Sequence, residues 1–296
     1  NVSFVDRPIS IAGDLKLGNF TLSFTDMAIP ISGIPLVVQR TYDTLDAGRD
    51  GELGFGWNLD FRSAEVRTSV SPVISELFKV ASYLNPFRDR TRVYITLPGG
   101  EREGFTFAPE FNLPTRFLAG LGLPPESFQF DPVFVPDPGV TSQLTLTGAT
   151  TMIRKSTGEY FSIGGTNLPF NPAQSLLNTV YHLTTRDHLT YDIDAATGNI
   201  IRIVDNNGNT VTLSDNGITS TDGTTIAISR DPQGRIVAVV DPAGQSVRYQ
   251  YDAQGDLVAV TDRTGNTTRF VYRQAPAHYL DQVMDPLGRT GVPVRH

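Results

Sequence analysis

Apolar and polar side chains alternate along the C-terminal third of the chain, and short turn-like segments interrupt the alternation. The segment VRYQY at 247–251 places Val247, Tyr249 and Tyr251 on one face of a strand, because successive side chains point to opposite faces. The following run, LVAV at 257–260, is apolar on both faces. The pattern therefore predicts a sheet with one apolar face and a second face that is only partly exposed to solvent.

Glycines divide the region from Tyr191 onward at nearly regular intervals, mostly in Asp-, Asn- or Pro-rich contexts such as NNGN, DPAG and RTGN. Asn-Gly and Asp-Gly between alternating segments are the strongest short-range signal of a hairpin, because both residue types tolerate positive φ. We therefore predict consecutive antiparallel hairpins. Their turns contain Gly198, Gly208, Gly217, Gly223, Gly234, Gly244, Gly255, Gly265 and Gly288.

A 21-residue register relates the segment 241–251 to the segment 262–272. One repeat comprises two strands and two turns, and it cannot bury its apolar face alone. Neighbouring repeats must therefore form one continuous sheet, which strand twist curves. The positions that coincide are Asp241 with Asp262, Gly244 with Gly265, and Tyr251 with Tyr272.

The first half of the chain has a different pattern. Strand candidates occur up to residue 70, and the hairpins RVYITLPGGEREGFTF and TMIRKSTGEYFSI follow later. Apolar residues at helical spacing predict one short helix over 72–84, with Pro72 near its start. The Pro- and Phe-rich segment 108–140 is predicted as a long ordered loop or covering flap. We divide the chain into an N-terminal module, 1–185, and a repeat module, 186–296.

Composition excludes several classes of protein. The net charge of −7 and the absence of a Lys/Arg cluster argue against a nucleic-acid partner. The chain has no Cys, so disulfide frameworks, thiolate metal sites and Cys nucleophiles are excluded. It has no apolar run long enough to span a membrane. Glu is absent after Glu159 and Lys after Lys155, which favours strands and turns over helices in the second half.

Each residue of the repeat region that could take part in catalysis or metal binding could instead have a purely structural role in a turn. The carboxylates there lie mostly at turn positions, where Asp bonds to its own backbone, and a hidden acid/base pair of a hydrolase stays open as an alternative. His182 and His188 are six residues apart without metal spacing. The segment DNNGN at 205–209 is oxygen-rich but lacks the downstream Glu of an EF-hand. We expect no metal and no cofactor.

The aromatic residues also have two interpretations. Trp57, the only Trp, is expected to anchor the N-terminal segment against the sheet, with a sugar-stacking platform as the alternative. Tyr249, Tyr251 and Tyr272 form a ladder that is expected to pack across strands, with a carbohydrate groove as the alternative.

The stretch YDAQGDLVAVTDRTGNTTRFVY resembles the YD repeat of RHS proteins, and DPAGQ and DPLGR resemble the turn that starts each repeat. The stretch MAIPISGIPLVVQRTYDTLD, followed by GELGFGWNLDF, is similar to the segment that precedes the repeats in many bacterial members. The resemblance implies an all-β fold of antiparallel YD-repeat hairpins in a curved, extended sheet, part of a hollow β-shell. In bacteria such shells often enclose a C-terminal toxin, and in animal teneurins they belong to a cell-surface adhesion receptor.

The same resemblance implies a function. We expect a non-catalytic structural segment of a secreted or cell-surface shell, and the alternative is an adhesion or carbohydrate-binding module. The self-cleavage motif DPxGL of many bacterial members is absent, and the last repeat is incomplete, so we expect the N-terminal portion of a longer protein. The expected partners are later repeats of the same chain, an enclosed toxin domain and, under the alternative, a glycan.

Two sets of residues carry these expectations. The repeat-structural residues are Tyr191, Asp192, Gly234, Asp241, Gly244, Tyr251, Asp252, Gly255, Asp262, Gly265, Tyr272, Asp285 and Gly288. The N-terminal motif residues are Arg40, Tyr42, Gly54, Gly56 and Trp57.

Overall fold

The computed structural model describes residues 20–31, 34–70, 84–98, 100, 102–112, 128–148, 151–163 and 168–290. Regular structure in these ranges is β, apart from two short 3-10 helices, Thr44–Asp46 and Ser175–Leu177. The all-β prediction is therefore confirmed. The helix predicted over 72–84 lies, apart from its last residue, outside the described residues.

The described residues form 25 strands. In chain order they are β1 (Thr21–Ile31), β2 (Ile34–Asp43), β3 (Asp50–Gly51), β4 (Gly54–Phe55), β5 (Trp57–Leu59), β6 (Glu65–Thr68), β7 (Arg92–Thr96), β8 (Arg102–Phe107), β9 (Glu110–Phe111), β10 (Gln129–Asp131), β11 (Phe134–Pro136), β12 (Gln143–Thr147), β13 (Met152–Arg154), β14 (Tyr160–Ser162), β15 (Val180–Thr184), β16 (Thr190–Asp194), β17 (Ile200–Val204), β18 (Thr210–Ser214), β19 (Gly217–Ser220), β20 (Thr225–Arg230), β21 (Ile236–Val240), β22 (Ser246–Tyr251), β23 (Leu257–Thr261), β24 (Thr267–Tyr272) and β25 (Leu280–Met284).

Packing divides the described residues into two compact units. The first unit contains the residues up to Phe61 and those from Val211 onward, and the second contains Arg62–Thr210. The first unit thus joins two segments that are far apart in sequence. The predicted boundary between residues 185 and 186 concerns modules along the chain, and it stays a prediction.

The first unit contains a three-stranded sheet of β1, β2 and β5, which we call the N-terminal sheet. It also contains the run β18 to β25, in which each strand pairs antiparallel with the next. This order is the predicted series of consecutive hairpins. Short loops of two to seven residues make it possible, because two antiparallel strands need only a tight connection.

A β-bulge recurs at the repeat spacing. The register of the ladder shifts at Ser229/Arg230, at Gln250/Tyr251 and at Val271/Tyr272. A bulge bends its strand and increases the local twist, so the sheet gains one additional bend with each repeat. The curvature that was expected from strand twist alone therefore has a second, periodic source.

The second unit contains two four-stranded sheets, and each includes one of the two predicted hairpins of the first half. Strands β7 and β8 form RVYITLPGGEREGFTF, and β13 and β14 form TMIRKSTGEYFSI, each pair antiparallel. The segment 108–140 was predicted to be a long ordered loop or covering flap, and its described parts contain the short strands β9, β10 and β11, which a loop would not have. That prediction was wrong there because strands of two or three residues are too short to produce visible alternation.

The remaining strands of the second unit are β12, β15, β16 and β17, which pair antiparallel in that order. Tyr191 and Asp192 lie inside β16. This position differs from that of Tyr251 and Asp252, where the tyrosine ends a strand and the aspartate opens the loop. In β16 the loop is opened two residues later, by Asp194.

Candidate functional site

In the first unit, the N-terminal sheet contacts one side of the strands β22–β25. This is the side that carries Val247 and Tyr249, and we call it the repeat face. The alternation within β22 has the predicted sense, since Val247 and Tyr249 are buried and Arg248 and Gln250 are exposed. The N-terminal sheet covers this side of the strand, because the hydroxyl of Tyr249 donates a hydrogen bond to Asp26 in β1. The tyrosine ladder is therefore packed at this point and is not an open groove.

A buried ion pair occupies the centre of this contact. Asp26 and Arg40 form a salt bridge, and each side chain is only 3% exposed. The second carboxylate oxygen of Asp26 accepts the 2.8 Å hydrogen bond of Tyr249, and burial raises the pKa of this tyrosine well above its ordinary value. The guanidinium carbon of Arg40 lies 4.5 Å from the ring centre of Phe24 and 5.6 Å from that of Phe270. Both charges are thus held in a setting that excludes water.

Trp57 is joined to the repeat face by a chain of hydrogen bonds. Its indole N–H donates to the hydroxyl of Tyr272 at 2.7 Å, and this hydroxyl donates to the carbonyl of Leu257 at 2.8 Å. The Trp57 ring also lies edge-on to Phe270, with 5.0 Å between the ring centres. These are the contacts expected of an anchor, and they leave Trp57 only 1% exposed. Such a buried indole is not available for stacking on a sugar.

The tyrosine that ends β22 makes the same contact as the one that ends β24. Tyr251 donates to the carbonyl of Ile236, 15 residues earlier in the chain, and Tyr272 donates to Leu257, also 15 residues earlier. The 21-residue register is therefore a register of hydrogen bonds as well as of residue types.

The loop between β24 and β25, residues 273–279, contacts the N-terminal segment. The hydroxyl of Tyr42 donates to the carbonyl of His278 at 2.9 Å and accepts from the amide of Leu280 at 2.9 Å. The imidazole of His278 stacks on Phe55, with 3.7 Å between ring centres and 17° between planes. Its Nδ1 lies 2.9 Å from Oδ1 of Asp256, a carboxylate that is 4% exposed.

Two glycines of the motif GELGFGW permit close packing. Both have positive φ, 81° at Gly54 and 74° at Gly56. A Cβ atom on Gly54 would lie 2.3 Å from the carbonyl oxygen of Gly255, and one on Gly56 would lie 2.6 Å from the ring of Tyr42. Only glycine therefore fits at these two positions. Their sequence pattern reflects packing against the repeats and not the binding of a phosphate.

The loops of the repeats share one hydrogen-bond pattern. In each, the carboxylate of the opening aspartate accepts backbone N–H groups two and four residues later, and the glycine between them has positive φ. Burial works against the ionised form, but the donors outweigh it and lower the pKa of most of these carboxyls. The aspartates are Asp231, Asp241, Asp252, Asp262 and Asp285, and the glycines are Gly234, Gly244, Gly255, Gly265 and Gly288.

The buried carboxylates do not face one another. Asp26 pairs with Arg40, and Asp241 pairs with Arg263. In the second unit, Asp192 pairs with both His182 and Arg202. The residues that the structure describes thus do not contain the two facing buried carboxylates that the hydrolase hypothesis requires.

The histidine pair of the sequence does not come together as a ligand set. His182 lies in β15, whereas His188 lies in the following turn with φ of 62°. The described ranges contain no group of three or more His, Asp or Glu side chains that could hold a metal ion. Two clefts of the second unit have volumes of about 220 and 330 Å³, and the second is lined by charged residues such as Arg88, Asp89 and Glu159.

Sequence reasoning missed several residues of this contact, namely Glu52, Phe55, Asp26, Asp256 and His278. Glu52 pairs with Arg230, and its carbonyl accepts the amide of Ile236 at 2.8 Å. A signal for the central pair did exist in the sequence. Asp26 lies an even number of residues from Leu22 and Phe24, so the alternation places it on the same apolar side of the strand. Arg40 lies in the same way on the side of Leu36 and Val38.

Consecutive antiparallel hairpins with a common loop, a periodic bulge and a repeated tyrosine contact define a β-sheet repeat protein. Residues 230–268 match the family model described as RHS Repeat, and residues 14–68 match the one described as Domain of unknown function (DUF6531). These matches support an RHS/YD-repeat protein, and the RHS repeat is a structural kind of repeat. A search of curated proteins gave no match.

Proteins with RHS repeats are typically extracellular or displayed at the cell surface. Among the residues that the structure describes, no helix is both long and apolar enough to cross a membrane.

Proposed function

We propose that this chain forms part of the wall of an RHS-type β-shell that is secreted or displayed at the cell surface and encloses a C-terminal toxin or effector. In this proposal the repeats are the wall, and the N-terminal sheet is a cover fixed to the repeat face. The chain acts by enclosure and carries no catalytic residue of its own. The observation that carries the proposal is the repeated set of loop, bulge and tyrosine contacts along β20–β25.

Identical contacts in successive repeats allow a wall to grow by simple addition. Each further repeat would bring its own opening aspartate and its own glycine, so it needs no new kind of interaction. Strand β25 is the last in the sheet order, and its other edge carries only the isolated bridge between Met284 and Thr290 among the described residues. An edge of this kind is a template for another strand. Later repeats of the same chain are the partners that we propose for it.

The N-terminal sheet fits the role of a cover because its aromatic and charged groups pack against the repeat face and exclude solvent from it. Trp57 and Phe24 both contact Phe270, and Asp26 satisfies the hydroxyl of Tyr249. A bare repeat face would expose these apolar side chains. The cover therefore favours a wall that is stable before any cargo is present.

Protease protection of the complete gene product tests the proposal. The whole protein is treated with proteinase K, and the fragments are followed by mass spectrometry. Enclosure predicts that the region C-terminal to the repeats survives at least tenfold longer than the same region expressed alone. The matched control is the whole protein with Asp26→Ala, which removes a central contact of the cover. Equal digestion rates for the enclosed and the isolated region would refute enclosure.

A further inference from the structure

The loop at 273–279 departs from the other loops of the repeats. The loops 231–235, 241–245, 252–256 and 262–266 have five residues and open with Asp, whereas this loop has seven and opens with Arg273. Its backbone is closed by the amide of Arg273, which donates to the carbonyl of Tyr279. The longer loop carries His278 to Phe55 and Tyr42, which belong to the N-terminal segment.

The ion pair in this loop depends on one imidazole. Asp256 is 4% exposed, and among the described residues His278 is its only cationic partner. Burial raises the pKa of Asp256, and the nearby carboxylate of Asp252 acts in the same direction. A buried carboxylate without a cation is costly, so the contact is most favourable while His278 carries its proton. Histidine is the side chain that ordinarily changes charge between pH 5 and 8.

Two tyrosine hydroxyls at this contact keep one charge state over that range. Burial raises the pKa of Tyr42 to about 12 and that of Tyr272 well above its ordinary value, so both hydroxyls stay neutral. The carboxylate of Asp43 lies near Tyr42 and adds to the negative potential there.

A second histidine provides an internal comparison. His182 has the same arrangement as His278, with Nδ1 at 2.6 Å from the buried carboxylate of Asp192 and a side-chain exposure of 22% against 21%. Asp192, however, also pairs with Arg202, which stays charged at every accessible pH. Loss of the proton from His182 therefore leaves its carboxylate compensated, whereas loss of the proton from His278 does not.

We propose that the loop 273–279 is a pH-sensitive latch of the N-terminal sheet, which protonated His278 closes against Asp256 and which loosens as the imidazole loses its proton. The proposal rests on the covering role of that sheet and adds its regulation. The sign follows from the pair. A neutral imidazole leaves the buried carboxylate of Asp256 without a cation, so the closed contact is weaker at the higher pH.

Hydrogen exchange at the amide of Leu280 tests the latch, because this amide donates to the hydroxyl of Tyr42 and so reports on the contact directly. Protection factors are corrected for the intrinsic pH dependence of exchange. We expect protection at pH 8 to be about fivefold lower than at pH 5.5, the effect of replacing an ion pair by a hydrogen bond from a neutral imidazole to the same carboxylate.

Two variants remove the titration in different ways. H278F retains a ring against Phe55, and D256N retains a side chain of the same shape without charge. Each should abolish the pH dependence, and the use of both keeps the test decisive if one fails to fold. The matched control H182N should keep the fivefold change.

The outcomes separate the latch from the cover. A protected amide whose protection does not vary with pH, or a pH dependence that survives in H278F and D256N, overturns the latch and leaves the cover standing. Equal loss of the pH dependence in H182N also overturns it. An amide that is unprotected at every pH overturns the cover itself.

Discussion

Arg40 offers the sharpest test of the contact between the N-terminal sheet and the repeat face. Its guanidinium is 3% exposed and pairs with Asp26, which in turn accepts the hydroxyl of Tyr249. Arg40→Met keeps much of the apolar stem and removes the charge. The carboxylate of Asp26 would then remain buried with a single neutral donor.

The expected loss follows from the burial of both partners. Breaking a buried ion pair by removing one partner costs roughly 3 to 5 kcal/mol, because the charge that remains is uncompensated. Replacing every polar group of the cluster by an apolar group of similar volume costs far less. The triple variant Asp26→Leu, Arg40→Met, Tyr249→Phe should therefore recover at least about 2 kcal/mol relative to Arg40→Met alone.

Urea unfolding followed by the fluorescence of Trp57 measures these free energies, since Trp57 is the only Trp and lies in the same contact. Arg49→Met is the matched control, because Arg49 is 77% exposed and pairs with Asp46 in the same unit. An exposed pair of this kind contributes about 0 to 1 kcal/mol. Equal losses for Arg40→Met and Arg49→Met, or a triple variant no more stable than the single one, would refute the argument.

Three further outcomes are expected from the same structure. Gly54→Ala should lower the melting temperature more than Gly244→Ala, because both glycines have φ near 80° but only the Cβ on Gly54 would lie 2.3 Å from a carbonyl oxygen; equal melting temperatures would contradict this. Gly244→Val and Gly265→Val should each cost roughly 1 to 3 kcal/mol in thermal melts through φ alone, whereas unchanged melts would show that positive φ is not required. Tyr272→Phe should cost roughly 1 to 3 kcal/mol in urea unfolding, because the indole N–H of Trp57 loses its acceptor; a loss below 0.5 kcal/mol would contradict that, on the same scale.

Acid should weaken the repeats through their loops. The lowered pKa of Asp241 means that its stabilising contribution is fully present above the ordinary Asp value of about 3.9 and is lost as the pH falls through the lowered value. Circular dichroism between pH 5 and pH 2 should therefore show a transition in strand content that Asp241→Asn shifts. This window lies below that of the histidine latch, so the two effects can be measured separately.

The repeat region was predictable because its information is local. An aspartate and a glycine three residues apart determine the loop, and alternation determines which side of β22 is buried, so Val247 and Gly244 could be placed from their neighbours alone. The periodic bulges were not visible in the sequence, because a bulge at Tyr251 or Tyr272 changes the register of pairing and not the residue types.

The contact with the N-terminal sheet was not predictable in this way, because its partners are distant in the chain. Tyr249 is 223 residues from Asp26, and Tyr42 is 236 residues from His278. Alternation indicates that Asp26 and Arg40 face inward, yet it does not say what they meet there. The bulge between Thr25 and Met27 makes the inference harder still, since it places Asp26 and Met27 next to each other in the core.

Similar repeats raise the question of how the N-terminal sheet binds at one position only. A sheet that contacted only the features common to all repeats could bind at any of them. The position that holds Tyr251 and Tyr272 is occupied by Arg230 one repeat earlier, and Arg230 pairs with Glu52. The last position of the loop after Tyr251 is Asp256, whereas the corresponding positions elsewhere are Gln, Asn or Arg, and Asp256 pairs with His278.

The N-terminal segment or its latch thus meets the repeats where they depart from their own pattern: at Arg230, at Asp256 and at the long loop 273–279. The N-terminal segment also contacts the regular positions Tyr272 and Gly255, through Trp57 and Gly54, but only the irregular positions distinguish one repeat from another. In an RHS-repeat chain, a residue that breaks the consensus of the repeat is therefore the first candidate for a contact that distinguishes one repeat from the next.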